Sequence, residues 1–278
     1  MKLNLGTTQL DLELPVIMGI LNVTPDSFSD GGQFSEPDSA LRHAVSMANA
    51  GATFIDVGGE STRPGAADVS ADRELERVIP LIEKIRGESD VLVSIDTSKP
   101  AVMVEAVRAG ATLINDVYGL RREGALEAAA GLGTAVCVMH MQGEPRTMQE
   151  SPHYDDVIAE VSTFLAEARD RCITGGIRAD RIVIDPGFGF GKSPRHNLEL
   201  LVNLRRFTEL GLPLLVGLSR KQTLGHLTGR GVGERQAASL AAAVMAFERG
   251  ANIVRTHDVE DTVDALKVVQ AVIAAGNE

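Results

Sequence analysis

The sequence predicts one (β/α)8 barrel of the TIM type, an α/β fold, preceded by a small N-terminal β-hairpin. Three observations carry this reading. Short apolar runs alternate with amphipathic helical stretches along the whole 278-residue chain. Eight such runs can be marked out, and most are continuously apolar, as parallel strands buried on both faces are. A barrel of this kind takes ~250 residues, and no Pro/Ser-rich linker interrupts the chain, so residues 1–278 are read as a single domain. The alternative is an open doubly wound sheet. It is disfavoured because no Gly-x-Gly-x-x-Gly follows the first strand.

Residues Leu3–Leu14 alternate apolar and polar around a turn at Gly6. They read as a hairpin that plugs the N-terminal end of the barrel. The barrel strands are expected at Val16–Gly19, Phe54–Val57, Val91–Ile95, Leu113–Asn115, Ala135–Met139, Ile182–Ile184, Leu214–Gly217 and Ile253–Arg255. Between them the apolar period becomes helical. Leu41, Ala44, Val45 and Ala48 fall at i, i+3, i+4 and i+7 in a helix over Asp38–Ala50, with Asp38 as its N-cap. Leu75, Val78, Ile79 and Ile82 repeat that spacing, as do Ala237, Leu240, Ala241 and Val244. Ser98 and Pro100 read as the cap and first turn of another helix. Three similar joints, beginning at Gly51, Gly110 and Gly250, each end a helix on a glycine before the next strand.

Composition narrows the function. Hydrophobic residues make up 44% and charged residues 23%, as in an ordinary soluble globular protein. Lys plus Arg number 27 against 38 Asp plus Glu, a net charge of -11 that repels nucleic acid and anionic membranes. Aromatic content is 4% with no Trp, too little for base-stacking platforms. Cys137 and Cys172 show no disulfide or metal spacing, and Cys137 sits in an apolar run that buries it. There is no signal pattern and no apolar run of the ~18 residues that a membrane span needs, so the cytoplasm is the expected location.

Active sites of such barrels lie at the C-terminal ends of the strands. Those positions hold Asn22, Asp56, Asp96, Asn115, His140, Asp185, Ser219, and Arg255 with His257. A single polar strand end means little; a full ring of them at one mouth predicts a binding site. Asp96, Asp185 and Asn115 suit a flat heterocycle with several N–H donors, because a carboxylate accepts two parallel N–H bonds. Lys221, Arg255, His257 and Arg63 supply positive charge for a phosphate or carboxylate. No zinc-ligand pattern is present. The glycine-rich run Pro186–Ser193 misses the P-loop pattern at Pro186, and reads as a loop where backbone approaches a ligand, with Phe190 as an apolar wall. Gly229–Gly233 reads as a solvent loop.

Several longer segments resemble the dihydropteroate synthase family: Gly19–Gly32, Asp56–Gly65, Ser94–Thr97, Ile114–Val117, Asp185–Lys192, Ser219–Lys221 and Arg255–Val259. The match runs in order along essentially the whole chain. The resemblance implies a homodimeric, Mg2+-dependent transferase that joins (7,8-dihydropterin-6-yl)methyl diphosphate to 4-aminobenzoate. By the same resemblance, the pterin falls to Asp96, Asn115, Met139, Asp185, Phe190, Lys221 and Arg255. The diphosphate falls to Asn22, Thr62, Arg63, Arg255 and His257, and Mg2+ to Asn22. The aminobenzoate falls to Phe28, Thr62, Pro64, Ser219 and Lys221. The catalytic set is Asp96, Asp185, Lys221, Arg255 and His257.

Two long loops rich in Gly, Ser, Asp and Pro, Thr24–Phe34 and Glu60–Asp68, are expected to act as lids. A corrinoid methyltransferase domain would share the pterin carboxylates, but not Phe28, Arg63-Pro64 and Ser219–Lys221 together. A non-catalytic pterin-binding paralogue would not need Asn22, Lys221, Arg255 and His257 intact.

Overall fold

The structure, a computed structural model, describes residues 1–23, 36–61, 68–145 and 147–275. Strands β1 (Lys2–Asn4) and β2 (Gln9–Asp11) pair antiparallel as the hairpin. The barrel then runs β3 (Val16–Asn22), α1 (Glu36–Asn49), β4 (Phe54–Gly58), α2 (Ala71–Glu88), β5 (Leu92–Asp96), α3 (Pro100–Arg108), β6 (Leu113–Asp116) and α4 (Ala125–Leu132). It continues through β7 (Ala135–Met139), α5 (Val157–Thr174), β8 (Ile182–Asp185), α6 (Pro194–Val202), β9 (Leu215–Val216), α7 (Gln222–Thr228), α8 (Gln236–Glu248), β10 (Ile253–Thr256) and α9 (Val259–Ala275). The eight barrel strands are parallel, in the order β8-β7-β6-β5-β4-β3-β10-β9. A single parallel bridge, Ile184 to Leu214, brings the two ends of that sheet together. All eight expected strands are present, each within a few residues of its expected ends.

Period-2 alternation explains how this barrel is filled. Outward strand residues such as Ile55, Ile95, Val138 and Val254 pack under the helices. Inward residues at the strand starts, Met18, Phe54, Leu113, Ala135, Val183, Leu215 and Ile253, meet Leu3, Leu5 and Leu12 of the hairpin. The hairpin is therefore the plug that the sequence predicted. Two residues further along the same inward faces the chemistry changes, to Asp56, Ser94, Asn115, Asp185 and Arg255. Cys137 stays in the apolar layer, buried and unpaired, and Cys172 is buried beneath the helices.

The helix joints behave as expected: Gly51, Gly110 and Gly250 have φ of +103°, +115° and +96°, which only glycine adopts without strain. Three local readings need correction. Asp38 lies inside α1 rather than capping it, and pairs with Lys84 across to α2 at 3.1 Å. Ser98 does not cap α3. Its hydroxyl donates to buried Asp116, and Pro100 opens the helix behind Lys99. In α8 the buried side is Ser239, Ala242, Ala243, Ala246 and Phe247, while Ala237 and Ala241 are exposed. Alanine surrounds this helix on all sides, so its spacing selects no face, and the helix lays its small residues against the barrel.

The plug predicts a stability contrast. Leu12→Ala removes a side chain 1% exposed and should cost ~2–4 kcal/mol in urea unfolding. Leu14→Ala, at a position 58% exposed, should change stability by less than ~0.5 kcal/mol. Equal effects of the two would show that the hairpin is not part of the barrel core.

Candidate active site

The centre of the mouth is a charge network inside the barrel. The Arg255 guanidinium donates to Asp56 Oδ2 at 2.6 Å and to Asp96 Oδ2 at 2.9 Å. Asn115 Nδ2 also donates to Asp56 Oδ2, at 3.0 Å. The strand register sets this up: Asp56 lies beside Ser94, and Asp96 beside Asn115. Two buried oxygens of the layer, Asp56 Oδ1 and Ser94 Oγ, make no hydrogen bond within the described residues. They are acceptors in a poorly solvated space, as a ligand rich in N–H donors would need.

Burial tunes the titrating groups. It pushes the Asp96 carboxyl up to about 7, reinforced by Asp56 and opposed by Arg255. It pushes Asp185 up to about 6, against the Gly187 N–H bond and the charge of Lys221. It pushes Lys221 down to about 8, helped by Arg255 and opposed by Asp185 and Asp96. The Lys221 ammonium sits 4.1 Å from the centre of the Phe190 ring. Met139 lies beside Asp185 in register and shares an apolar cluster with Phe190. These residues thus converge as the sequence predicted.

Ser219 and His257 also meet, the Ser219 Oγ lying 3.0 Å from His257 Nδ1. Between Ser219 and Lys221, Arg220 adopts φ +56°, a left-handed conformation that costs a non-glycine residue energy. Its backbone N–H donates to Ser239 Oγ at 2.9 Å, its carbonyl accepts from Arg235 at 3.1 Å, and its guanidinium pairs with Asp258. Nothing in the sequence signalled this strain. Asn22 ends β3 next to Gly58 of β4. A Cβ on Gly58 would lie 3.7 Å from Asn22 Oδ1 and 3.8 Å from Asp96 Oδ2, so the bare glycine keeps clear the space that these oxygens border.

Two sequence readings change. His140 is 6% exposed, packed edge-on against Phe164, with Nδ1 2.8 Å from Lys192 Nζ. Burial and Lys192 push its pKa down to about 2. It is a neutral structural group turned away from the mouth. The glycine-rich turn 187–191 is also no open backbone cradle. The carbonyls of Gly187, Gly189, Phe190 and Gly191 accept from Lys192, Gln149, Lys192 and Tyr154 respectively. Its glycines serve close packing on the preceding loop: a Cβ on Gly187 would lie 1.8 Å from His140 O, and one on Gly191 2.3 Å from Gln142 O. Phe28, Thr62, Arg63 and Pro64 lie outside the described residues, as does most of both expected lids. At the described base of the second one, Glu60 Oε1 accepts from Val69 N–H at 2.9 Å, and Glu60 Oε2 pairs with Lys99 at 2.6 Å.

Comparison with known proteins fits this geometry. The model of the family described as pterin binding enzyme matches residues 18–257. Dihydropteroate synthase of Escherichia coli (strain K12) is 55% identical over 275 residues, covering 99% of this chain and 98% of that protein. The chain belongs to the dihydropteroate synthase family of pterin-binding enzymes. The Yersinia pestis dihydropteroate synthase, solved in a sulfonamide drug complex, superposes with a TM-score of 0.94 at 51% identity over 99% of this chain and 100% of that one. The Xanthomonas albilineans dihydropteroate synthase, solved with 7,8-dihydropteroate, gives 0.91 at 48% identity over 99% of each chain. The function is accordingly that of dihydropteroate synthase, a transferase of the folate pathway.

Within this dihydropteroate synthase site, Asp56 is the residue whose importance the sequence reading underrated. It is 1% exposed and anchors both Arg255 and Asn115. Arg255→Met should leave two carboxylates uncompensated and cost ~3 kcal/mol of stability at pH 8. Asp96 already binds its proton more tightly in the folded chain than an unfolded Asp does at ~3.9. The penalty should therefore shrink as pH falls below about 7 and the carboxylate is neutralised. Urea titrations at pH 8 and pH 5.5 check this; a penalty that grows on acidification would contradict the network.

Proposed function

We propose that the polar layer of the barrel holds the pterin ring of (7,8-dihydropterin-6-yl)methyl diphosphate and expels diphosphate before 4-aminobenzoate attacks. The observation that carries this reading is the pair of unpartnered oxygens, Asp56 Oδ1 and Ser94 Oγ, beside the tuned carboxylates of Asp96 and Asp185 near Arg255. Asp96 and Asp185, ionised, would accept the ring N–H donors, and Asn115 would read the adjoining edge. Lys221 would donate to a ring acceptor from its seat against Phe190. Met139 and Phe190 would wall the ring.

The reaction breaks a C–O bond and forms a C–N bond at the exocyclic methylene, and the amine gives its proton to solvent. Among the described residues no nucleophile is suitably placed. Burial pushes the Cys137 thiol well up, and the mouth carboxylates are engaged with Arg255 or the 187–191 turn. A dissociative route fits: the electron-rich ring becomes a cation, which the negative Asp96 and Asp185 favour. Arg255 and His257, with Thr62 and Arg63, would hold the leaving diphosphate. Phe28, Thr62, Pro64, Ser219 and Lys221 would surround the aminobenzoate.

Mg2+ would be held by the Asn22 amide oxygen and mainly by diphosphate oxygens, and would neutralise leaving-group charge. Asn22 Oδ1 fits that role, a hard neutral oxygen bordering the gap at Gly58. A homodimer is supported by apolar side chains left exposed on α8 and α9: Met245, Val268, Val272 and Ile273. No described helix is long and apolar enough to cross a membrane. A cytoplasmic location is in keeping with the acidic chain, and small molecules rather than nucleic acid or membrane are its partners.

The direct test is release of inorganic diphosphate on mixing the protein with both substrates and Mg2+. Release should require both substrates and stop with EDTA; release without 4-aminobenzoate at the same rate would indicate a hydrolase. Asp185→Asn should weaken pterin binding at least ~10-fold, because the amide sets an N–H against ring donors. Near-wild-type calorimetry from the folded variant would remove Asp185 from the pterin site. His257→Ala should weaken the pterin diphosphate ~10-fold while leaving a hydroxymethylpterin within ~2-fold; equal losses would place His257 away from the diphosphate.

A further inference from the structure

Lys192 has no part in the binding roles above, yet it is 2% exposed, an unusual position for an ammonium. We propose that Lys192 is a positioning residue for the pterin site, its ammonium clamping the 187–191 turn so that Asp185, Phe190 and Lys221 keep one arrangement. This rests on the pterin reading of that site.

Three links carry the inference. Lys192 Nζ donates to Gly187 O at 2.9 Å, and Gly187 N–H donates in turn to Asp185 Oδ1 at 2.7 Å. The placing of the ammonium thus reaches the carboxylate through one residue. Lys192 Nζ also donates to Phe190 O at 3.0 Å, and the Phe190 ring lies against Lys221 Nζ. Finally, the middle of the turn touches Lys221 directly: a Cβ on Gly189 would lie 3.1 Å from Lys221 Cδ. The other neighbours of the ammonium, His140 Nδ1 at 2.8 Å and His140 O at 3.5 Å, tie the clamp to the end of β7. His140 is neutral, and an ammonium has no lone pair, so with Lys192 charged Nδ1 is the acceptor of this bond.

A structural role alone does not account for the choice of residue. Burial pushes the Lys192 ammonium down to about 7, with Asp185 opposing the shift and Lys221 adding to it. Methionine would fill a similar volume without that desolvation cost. What methionine lacks is donors for two carbonyls on either side of the turn. Of the other turn bonds, those from Tyr154 and Gln149 hold the Gly191 and Gly189 carbonyls, that from Gly189 N–H reaches Asn197, and that from Phe190 N–H to Gly187 O at 3.1 Å stays within the turn. Among the described residues Lys192 alone joins the Gly187 and Phe190 carbonyls to the end of β7.

The test compares Lys192→Met and Lys192→Gln with wild type by calorimetry, using a hydroxymethylpterin and, separately, inorganic diphosphate with Mg2+. Lys192→Met should lose about tenfold or more in pterin affinity, with the glutamine, which keeps one donor group, in between. Diphosphate affinity should stay within about twofold, because Arg255, among its proposed ligands, is anchored on Asp56 and Asp96 and not on the turn. Equal losses for both probes would mean general loosening and overturn the proposal; so would unchanged pterin affinity. Asp185→Asn, run alongside, separates the two readings. If it too binds pterin normally, the pterin assignment has failed; if it alone loses affinity, only the clamp has. Hydrogen exchange on ligand-free wild type serves even if the variants do not fold. The amides of Gly187, Gly189 and Phe190 should be protected before pterin is added, and protection gained only with pterin would overturn the clamp.

Discussion

The structure depends on one interaction, the Arg255 guanidinium held between Asp56 and Asp96 inside a closed sheet. Below this network the barrel is sealed by the hairpin and filled with aliphatic and aromatic side chains. Water therefore reaches the charges only from the mouth, and each ion depends on its neighbours for solvation. Asp56 is wholly buried and has a further oxygen with no partner among the described residues, so the network there is incompletely satisfied. Such a layer is costly to build and would be a defect in a purely structural core. In the pterin-binding role proposed for it, the layer would provide acceptors for the ring and a local negative balance that favours a cationic intermediate.

The groups around this centre divide into those that titrate and those that hold. Asp96, Asp185 and Lys221 are drawn towards neutrality by burial, to about 7, 6 and 8. Their charges are therefore responsive to a ligand. The supports are not: the 187–191 turn has four of its carbonyls bonded internally, and Arg220 is locked in a left-handed conformation by Ser239, Arg235 and Asp258. Strain at Arg220 and close glycine packing at Gly187 are both costs that a stable barrel does not need. Both lie immediately beside residues that face the mouth.

Much of this was legible in the residues. Apolar runs, most of them continuous, marked all eight strands, because strands buried on both faces leave little alternation to misread. Polar strand ends marked the mouth, because one fold rule places them together. Features set by contacts distant in sequence were not legible. His140 read as a mouth residue, and only the fold shows it turned towards Lys192 and Phe164. Asp56 read as one strand end among many, although its neighbour across the barrel, Arg255, lies 199 residues away. The glycines of 187–191 read as room for a ligand, whereas the close neighbours are the carbonyls of the loop after β7. The buried face of α8 was missed because an alanine-rich helix has no distinct apolar stripe to read.

The central claim is that pterin binding converts half-protonated, buried carboxylates into ionised acceptors. Proton exchange on binding tests it directly: calorimetry of a hydroxymethylpterin at pH 6.5 in buffers of differing ionisation enthalpy. Asp96 and Asp185, raised to about 7 and about 6, should lose protons when ring N–H groups arrive, giving net proton release to the buffer. Above about pH 8, where Lys221 is largely neutral before binding, the sign should turn towards uptake as its ammonium is restored. A binding enthalpy independent of the buffer at pH 6.5, or net uptake there, would contradict the account.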